Sequence, residues 1–192
     1  FLKQLAENIK IEQIKLAGIS YGGLVGMEYA EKYQHQVSEL ILINSPVKYL
    51  DLEKLQSLCK KYEASNLKDF FAPKSGAGLR RQFQAAYYKT PTIPLFILNE
   101  FHKTFCNPYL TQWRQIIAGL LDSYDGLGKR TYTFQNPVNL IWGIEAEIIP
   151  FSIAKRLHAE LPNSTLFGIE KVGHLPTIES PKKVIEILRS CK

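Results

Sequence analysis

The sequence lacks most of what would mark a disulfide, metal or nucleotide protein. Its three cysteines, Cys59, Cys106 and Cys191, are odd in number and widely spaced. With no C-x-x-C pair, they argue against a disulfide scaffold or zinc site and favour a reducing, cytoplasmic setting. No apolar run approaches the ~18 residues that cross a bilayer, so no membrane span is expected. Glycine and proline, 12 and 10 residues, are too ordinary for a fibrous or low-complexity chain. No G-x-G-x-x-G is present and no Lys-Ser/Thr follows the one glycine-rich turn, so no phosphate loop is expected. His, Asp and Glu show no ligand spacing, and no metal or other cofactor is implied. The first 20 residues mix charges with apolar side chains, unlike a signal peptide. Methionine is nearly absent too: Met27 is alone, and the chain opens on Phe1.

What is present describes one globular domain. Hydrophobic residues make up 45% and aromatics 11% of the 192 positions, far above what a disordered chain carries. The net charge of +6 raises the question of nucleic acid. However, the basic residues come as scattered pairs (Lys60-Lys61, Arg80-Arg81, Lys129-Arg130, Lys182-Lys183) rather than as a stripe. Dispersed charge of that kind serves solubility, so no nucleic-acid partner is expected.

The hydrophobic pattern divides the chain into three. Residues 1–46 spell helix, strand, helix, strand: an amphipathic helix over 1–10 with Phe1, Leu2, Leu5, Ala6 and Ile9 on one face, a strand over 14–19, a helix over 22–33 and a strand over 37–43. Residues 47–135 read as helices only, at 51–64, 79–88, 95–105 and 110–124, separated by breakers at Pro73-Lys74-Ser75-Gly76 and Thr90-Pro91-Thr92-Ile93-Pro94. Their aromatics, Tyr87, Tyr88, Phe96, Phe101, Phe105, Tyr109 and Trp113, are expected mostly in a core, with the rest lining an apolar pocket. From 136 the α/β rhythm resumes, with strands at 137–143 and 164–170 and helices at 151–161 and 181–189. Helix–strand alternation interrupted by a helical block predicts a parallel sheet with an insertion.

The segment with chemical content is Gly18-Ile19-Ser20-Tyr21-Gly22-Gly23, a G-x-S-x-G at a strand-to-helix junction. A serine there must adopt a strained turn that exposes its hydroxyl, and glycines let strand and helix pack close beside it. Serine at its free pKa is a poor nucleophile and needs a base. Of four histidines, His35 and His158 read as surface residues and His102 as structural. His174, in Val172-Gly173-His174-Leu175-Pro176, follows a predicted strand and so reaches the same sheet edge as Ser20.

With these motifs the sequence resembles the α/β-hydrolase superfamily, in its cap-bearing esterase, lipase and C–C hydrolase branch. Gly18–Gly23 is similar to the nucleophile elbow, Pro137–Gly143 to the strand before the catalytic acid, and Gly173-His174 with Glu179-Ser180-Pro181 to the histidine loop. The resemblance implies an α/β fold: a mostly parallel sheet with about four C-terminal strands present, flanked by helices. Its core would be residues 1–46 and 136–192, with 47–135 as an all-α cap. It further implies Ser20 as nucleophile, His174 as general base and the Tyr21 backbone N–H as one oxyanion donor. The activity implied is hydrolysis of an ester, thioester or similar acyl bond of a small, partly apolar substrate.

The sequence departs from that family twice. Where the family has Gly-x-x-Asp, this chain has Ala146, within Gly143-Ile144-Glu145-Ala146-Glu147. Glu147, slightly ahead of Glu145, is the candidate substitute acid, the alternative being that both are plain solvated carboxylates. The alternative position after the preceding strand offers only Asn44 and Ser45, and Asp51 is remote. The family also places several strands before the elbow, with a loop that gives a second oxyanion N–H, whereas Ser20 here follows one helix and one strand. The expectation is therefore the C-terminal two-thirds of a larger enzyme, with strand 14–19 as an apolar edge able to self-associate. Both departures motivate an alternative function, a crippled hydrolase-fold module that binds a ligand or protein partner.

Overall fold

In the computed structural model, which describes residues 2–8 and 10–191, four strands form one parallel sheet in the order β1-β2-β3-β4. The chain begins with helix α1 (Leu2–Asn8), followed by β1 (Ile14–Ile19), α2 (Tyr21–Lys32) and β2 (Val37–Ile43). Phe1 and Ile9, placed on the apolar face of the first helix by the sequence pattern, lie outside the described residues, and Leu5 from that face is exposed. Helices α3 (Leu52–Lys61), α4 (Leu67–Phe71), α5 (Gly76–Ala86), α6 (Leu95–Phe101), α7 (Leu110–Asp122) and α8 (Tyr124–Gly128) fill the excursion between β2 and β3. The chain then closes with β3 (Val138–Gly143), α9 (Phe151–Glu160), β4 (Ser164–Ile169), α10 (Pro176–Glu179) and α11 (Pro181–Ser190).

β2 and β3 are central and buried on both faces, so they read as near-continuous apolar runs. β1 and β4 have one neighbour each among the described residues and are only half-buried. Ile14–Ile19 pairs with β2 along its length, from Ile14 with Val37 to Ile19 with Ile43. One charge lies inside the sheet: buried Glu39 accepts from Asn139 Nδ2 at 2.6 Å and pairs with Lys15 at 2.7 Å. The main core, around Met27, Leu40, Leu140 and Trp142, lies between the sheet, α2, α9 and the base of the helical excursion. A second cluster, Ile41, Ile43, Ile141, Val184 and Ile187, seals the opposite face under α11.

Most of the aromatics expected in a core are exposed instead. Phe96, Phe101, Phe105 and Tyr109 are exposed, Phe96 by 69%, whereas Trp113 lines the cavity beside Ser20. The reason is that α6 turns Leu98 inward, and the π-turn after it (His102–Cys106) does the same with His102 and Cys106, leaving the rings on the outer face. The helix expected at 95–105 is interrupted by that turn, and the short helices α4 and α10 have no counterpart in the sequence pattern.

Candidate active site

Ser20 sits between β1 and α2 with φ 51 and ψ −124, a positive-φ conformation that costs a non-glycine residue on the order of 1–3 kcal/mol. The strain is held by the surroundings. The Ser20 N–H donates to the Ile43 carbonyl at 2.9 Å, and its own carbonyl accepts from Gly23 at 3.0 Å. Two glycines make the turn sterically open. A Cβ on Gly18 would lie 2.4 Å from the Gly22 carbonyl oxygen, and one on Gly23 would lie 2.5 Å from Ser45 Cβ. Gly22, by contrast, has nothing within 4 Å of such a Cβ, so the tight packing rests on Gly18 and Gly23. Tyr21 is the first residue of α2, and its backbone N–H therefore has no partner within the helix.

His174 lies 154 residues later in sequence, yet its Nε2 is 3.0 Å from Ser20 Oγ. It is buried, and burial pushes the imidazole pKa down from 6.5 to about 4, because a charged ring there is stripped of water. The ring is thus neutral at physiological pH and can accept a proton. Its other nitrogen, Nδ1, is buried with no hydrogen-bond partner among the described residues. That matters for the tautomer. Nε2 can accept the Ser20 hydroxyl proton only when Nδ1 carries the ring hydrogen, and a buried N–H without an acceptor costs ~1–3 kcal/mol.

Neither glutamate expected as the acid is brought to that nitrogen. Glu147 binds Lys61 at 2.6 Å and the Tyr62 hydroxyl at 3.1 Å, with its side chain 41% exposed. Glu145 Oε2 instead accepts the Val172 N–H at 3.0 Å. The physical reason is the direction of the Gly143–Pro150 turn, which buries Ala146, Ile148 and Ile149 and sends the intervening Glu147 toward α3. Asp51 caps α3 by accepting from the Lys54 N–H at 2.9 Å. Asn44 Oδ1 accepts from Gly143 N–H at 3.0 Å, tying the ends of β2 and β3 together. The other histidines lie elsewhere: His102 Nε2 meets the Pro73 carbonyl at 2.8 Å, exposed His158 meets Ser164 Oγ at 2.8 Å, and His35 is exposed.

Glu179 is the residue that pattern reading undervalues. One oxygen accepts from Gly173 N–H at 2.8 Å and the other from Tyr88 N–H at 2.8 Å. Its only signal in the sequence is a carboxylate just ahead of the Ser180-Pro181 helix start.

A cavity of about 330 Å³ opens beside Ser20 and Tyr21. Its walls come from α3, α4, α7 and the turn after β3, among them Leu55, Phe71, Trp113, Ile117, Leu121 and Ile148. No charged side chain among the described residues lines it. The arrangement therefore combines a strained hydroxyl, a neutral imidazole at hydrogen-bond distance and an apolar cleft. Among the described residues no group of three or more His, Cys, Asp or Glu could hold a metal ion, and no helix is long and apolar enough to cross a membrane.

A parallel sheet with a serine on the turn after one strand and a facing histidine after another defines an α/β-hydrolase scaffold. The chain belongs to that family: the family profile for the alpha/beta hydrolase fold matches residues 1–181. A hydrolase from Bacillus subtilis (strain 168), YugF, is 50% identical over 50 residues, which is 26% of this chain and 18% of that protein. Lipase 1 of Psychrobacter immobilis is 23% identical over 179 residues, covering 93% of this chain and 53% of its own length. The fold is shared with the crystal structure of a putative lipase (lip1) from Acinetobacter baumannii AYE, at a TM-score of 0.79 and 24% identity over 98% of this chain and 64% of that one. The chain thus spans only about half to two-thirds of these longer matches.

The burial of His174 predicts a stability profile with a definite sign. The unfolded histidine takes a proton near pH 6.5, the folded one only near 4, so the unfolded state binds more protons between these values. Stability conferred by the neutral ring is complete above pH 6.5 and is lost as the pH falls toward 4, by about 3 kcal/mol in all. Urea titrations from pH 7 to pH 4 check this. His174→Gln is expected to flatten the slope in that window, and an unchanged slope would show that the ring's burial does not govern the acid side of the profile.

Proposed function

We propose that the protein is a serine hydrolase that cleaves an ester, thioester or similar acyl bond of a small, partly apolar substrate. The observation that carries the reading is the pairing of Ser20, strained at φ 51, with His174 Nε2 at 3.0 Å, at the mouth of an apolar cavity. In this mechanism Ser20 Oγ attacks the acyl carbonyl carbon and its proton passes to His174 Nε2. The oxyanion that forms faces the Tyr21 N–H, where the start of α2 favours negative charge. The imidazolium returns the proton to the leaving alcohol or thiol, and water then releases the acyl group from Ser20 by the same base. The acyl chain lies against Leu55, Trp113 and Ile117, and the helical excursion acts as a cap over it.

The relatives named as lipases support this substrate class. Cys59 and Cys106 are free and buried, and burial raises both thiol pKa values. Together with the free Cys191, these unpaired thiols support a reducing, cytoplasmic compartment for the protein. The unpartnered Nδ1 favours one competing reading, a slow or silent hydrolase scaffold that binds rather than turns over its ligand.

A fluorophosphonate probe separates the two, because it phosphonylates an activated serine irrespective of substrate. Labelling of the wild-type protein between pH 6 and 9, abolished by Ser20→Ala, is the expected result. A wild-type protein that stays unlabelled across that range sinks the hydrolase reading.

A further inference from the structure

Three consecutive backbone amides at the base are held by three different segments. The Val172 N–H donates to Glu145 Oε2 at 3.0 Å, the Gly173 N–H to Glu179 Oε1 at 2.8 Å, and the His174 N–H to the Ala86 carbonyl at 2.6 Å. The partners are themselves tied in. Glu145 returns a bond from its own N–H to the Val172 carbonyl at 3.1 Å, and Glu179 Oε2 accepts from Tyr88 N–H at 2.8 Å. Packing is equally close: a Cβ on Gly173 would lie 2.4 Å from the Ala86 carbonyl oxygen, and one on Gly143 would lie 2.0 Å from that of Gly173. The loop is therefore pinned to the turn after β3, to α10 and to the segment that leaves α5.

The side chain of His174 is held far less. Its ring bonds to Ser20 Oγ through Nε2, and Nδ1 meets no carboxylate among the described residues. In a complete triad the acid orients the ring through Nδ1. Here the carboxylate bonds run to the backbone of the two preceding residues instead. Carboxylate–amide bonds are charge-assisted and stronger than neutral ones, so two of them on adjacent amides restrain the loop well beyond ordinary turn bonding.

We propose that Glu145 and Glu179 are positioning residues that fix the base through its backbone, and that Glu179 also couples the base to Ala86–Tyr88 at the foot of the helical excursion. The proposal rests on the hydrolase reading above for its effect on rate, but the clamp itself is a property of the loop. The two glutamates differ in a testable way. Glu179 uses both oxygens as acceptors of N–H groups, whereas Glu145 uses one for the loop. A glutamine keeps a single acceptor and turns an N–H₂ toward the other amide. Glu145→Gln can therefore preserve its bond, and Glu179→Gln cannot preserve both.

The test measures p-nitrophenyl butyrate hydrolysis and fluorophosphonate labelling in Glu145→Gln, Glu145→Ala, Glu179→Gln and Glu179→Ala, with circular dichroism to count folded protein. Per folded molecule, Glu179→Gln and Glu145→Ala are expected to lower kcat about tenfold with KM nearly unchanged, while Glu145→Gln stays near wild type. A purely structural role would instead lower the folded fraction and leave kcat per folded molecule alone, which would overturn the proposal. Amide hydrogen exchange at Gly173 and Tyr88 reads the clamp even if Ser20 never reacts. Faster exchange at both in Glu179→Gln supports it, and unchanged protection overturns it. An unlabelled wild type with a lost clamp in Glu179→Gln would thus refute the hydrolase reading alone.

Discussion

Replacing Ala146 with aspartate is expected to raise the rate of Ser20 acylation by about a hundredfold or more, toward the ~10⁴ that an orienting acid contributes in serine proteases. The argument starts from the buried Nδ1 of His174, which lacks an acceptor among the described residues. As long as that nitrogen is unpaired, the tautomer able to take the Ser20 proton is penalised, and the imidazolium formed on proton transfer has no counter-charge. Ala146 is 6% exposed, on the turn whose Gly143 and Glu145 pack directly on Val172 and Gly173, and it holds the position where the family resemblance expects the acid. A carboxylate buried there alone would cost several kcal/mol, but pairing with the Nδ1–H offsets that cost. An adjacent negative charge also favours the charged ring, so the His174 pKa should rise from about 4, and the acid limb of the labelling profile should move up with it. Stopped-flow or gel-based labelling rates of wild type and Ala146→Asp, normalised to folded protein, give the answer. An equal rate and an unmoved acid limb would show that the ring is already oriented and that the acid's charge is not what limits the reaction.

Removing His174 itself should have an effect of similar size in the opposite direction. General-base catalysis contributes ~10²–10⁴, and without an orienting acid the lower figure applies. His174→Ala is thus expected to slow labelling about a hundredfold, and by considerably more when made in the Ala146→Asp protein. Groups that act as a unit are non-additive in this way. If the loss is the same in both backgrounds, the introduced carboxylate is not acting through His174, and if His174→Ala labels as fast as wild type, the imidazole is not the base.

Much of this architecture can be read from local pattern. The strands over 14–19 and 37–43 match β1 and β2 residue for residue, because a strand buried on one or both faces must show its burial in its own sequence. The longer helices are legible to within a few residues for the same reason, and their ends err where a cap or a π-turn, not periodicity, stops them. The aromatics from Phe96 to Tyr109 show where pattern misleads. Aromatic content reports how much apolar surface exists, not which side of a helix pair it faces.

The candidate site divides along the same line. A serine between two tight-packing glycines at a strand-to-helix turn, and a histidine after a later strand, are set by residue type and short-range geometry. Both are therefore legible in the sequence without knowledge of any contact. The partner of each carboxylate is not decided at that level. Glu145 bonds to an amide 27 residues away, Glu147 to a lysine 86 residues away, and Glu179 to an amide 91 residues away. A carboxylate carries no periodicity and is at home on any surface, so only the packed chain determines which donor it meets. It is that packing that left His174 Nδ1 without an acid among the described residues and placed two glutamates on the backbone beside it.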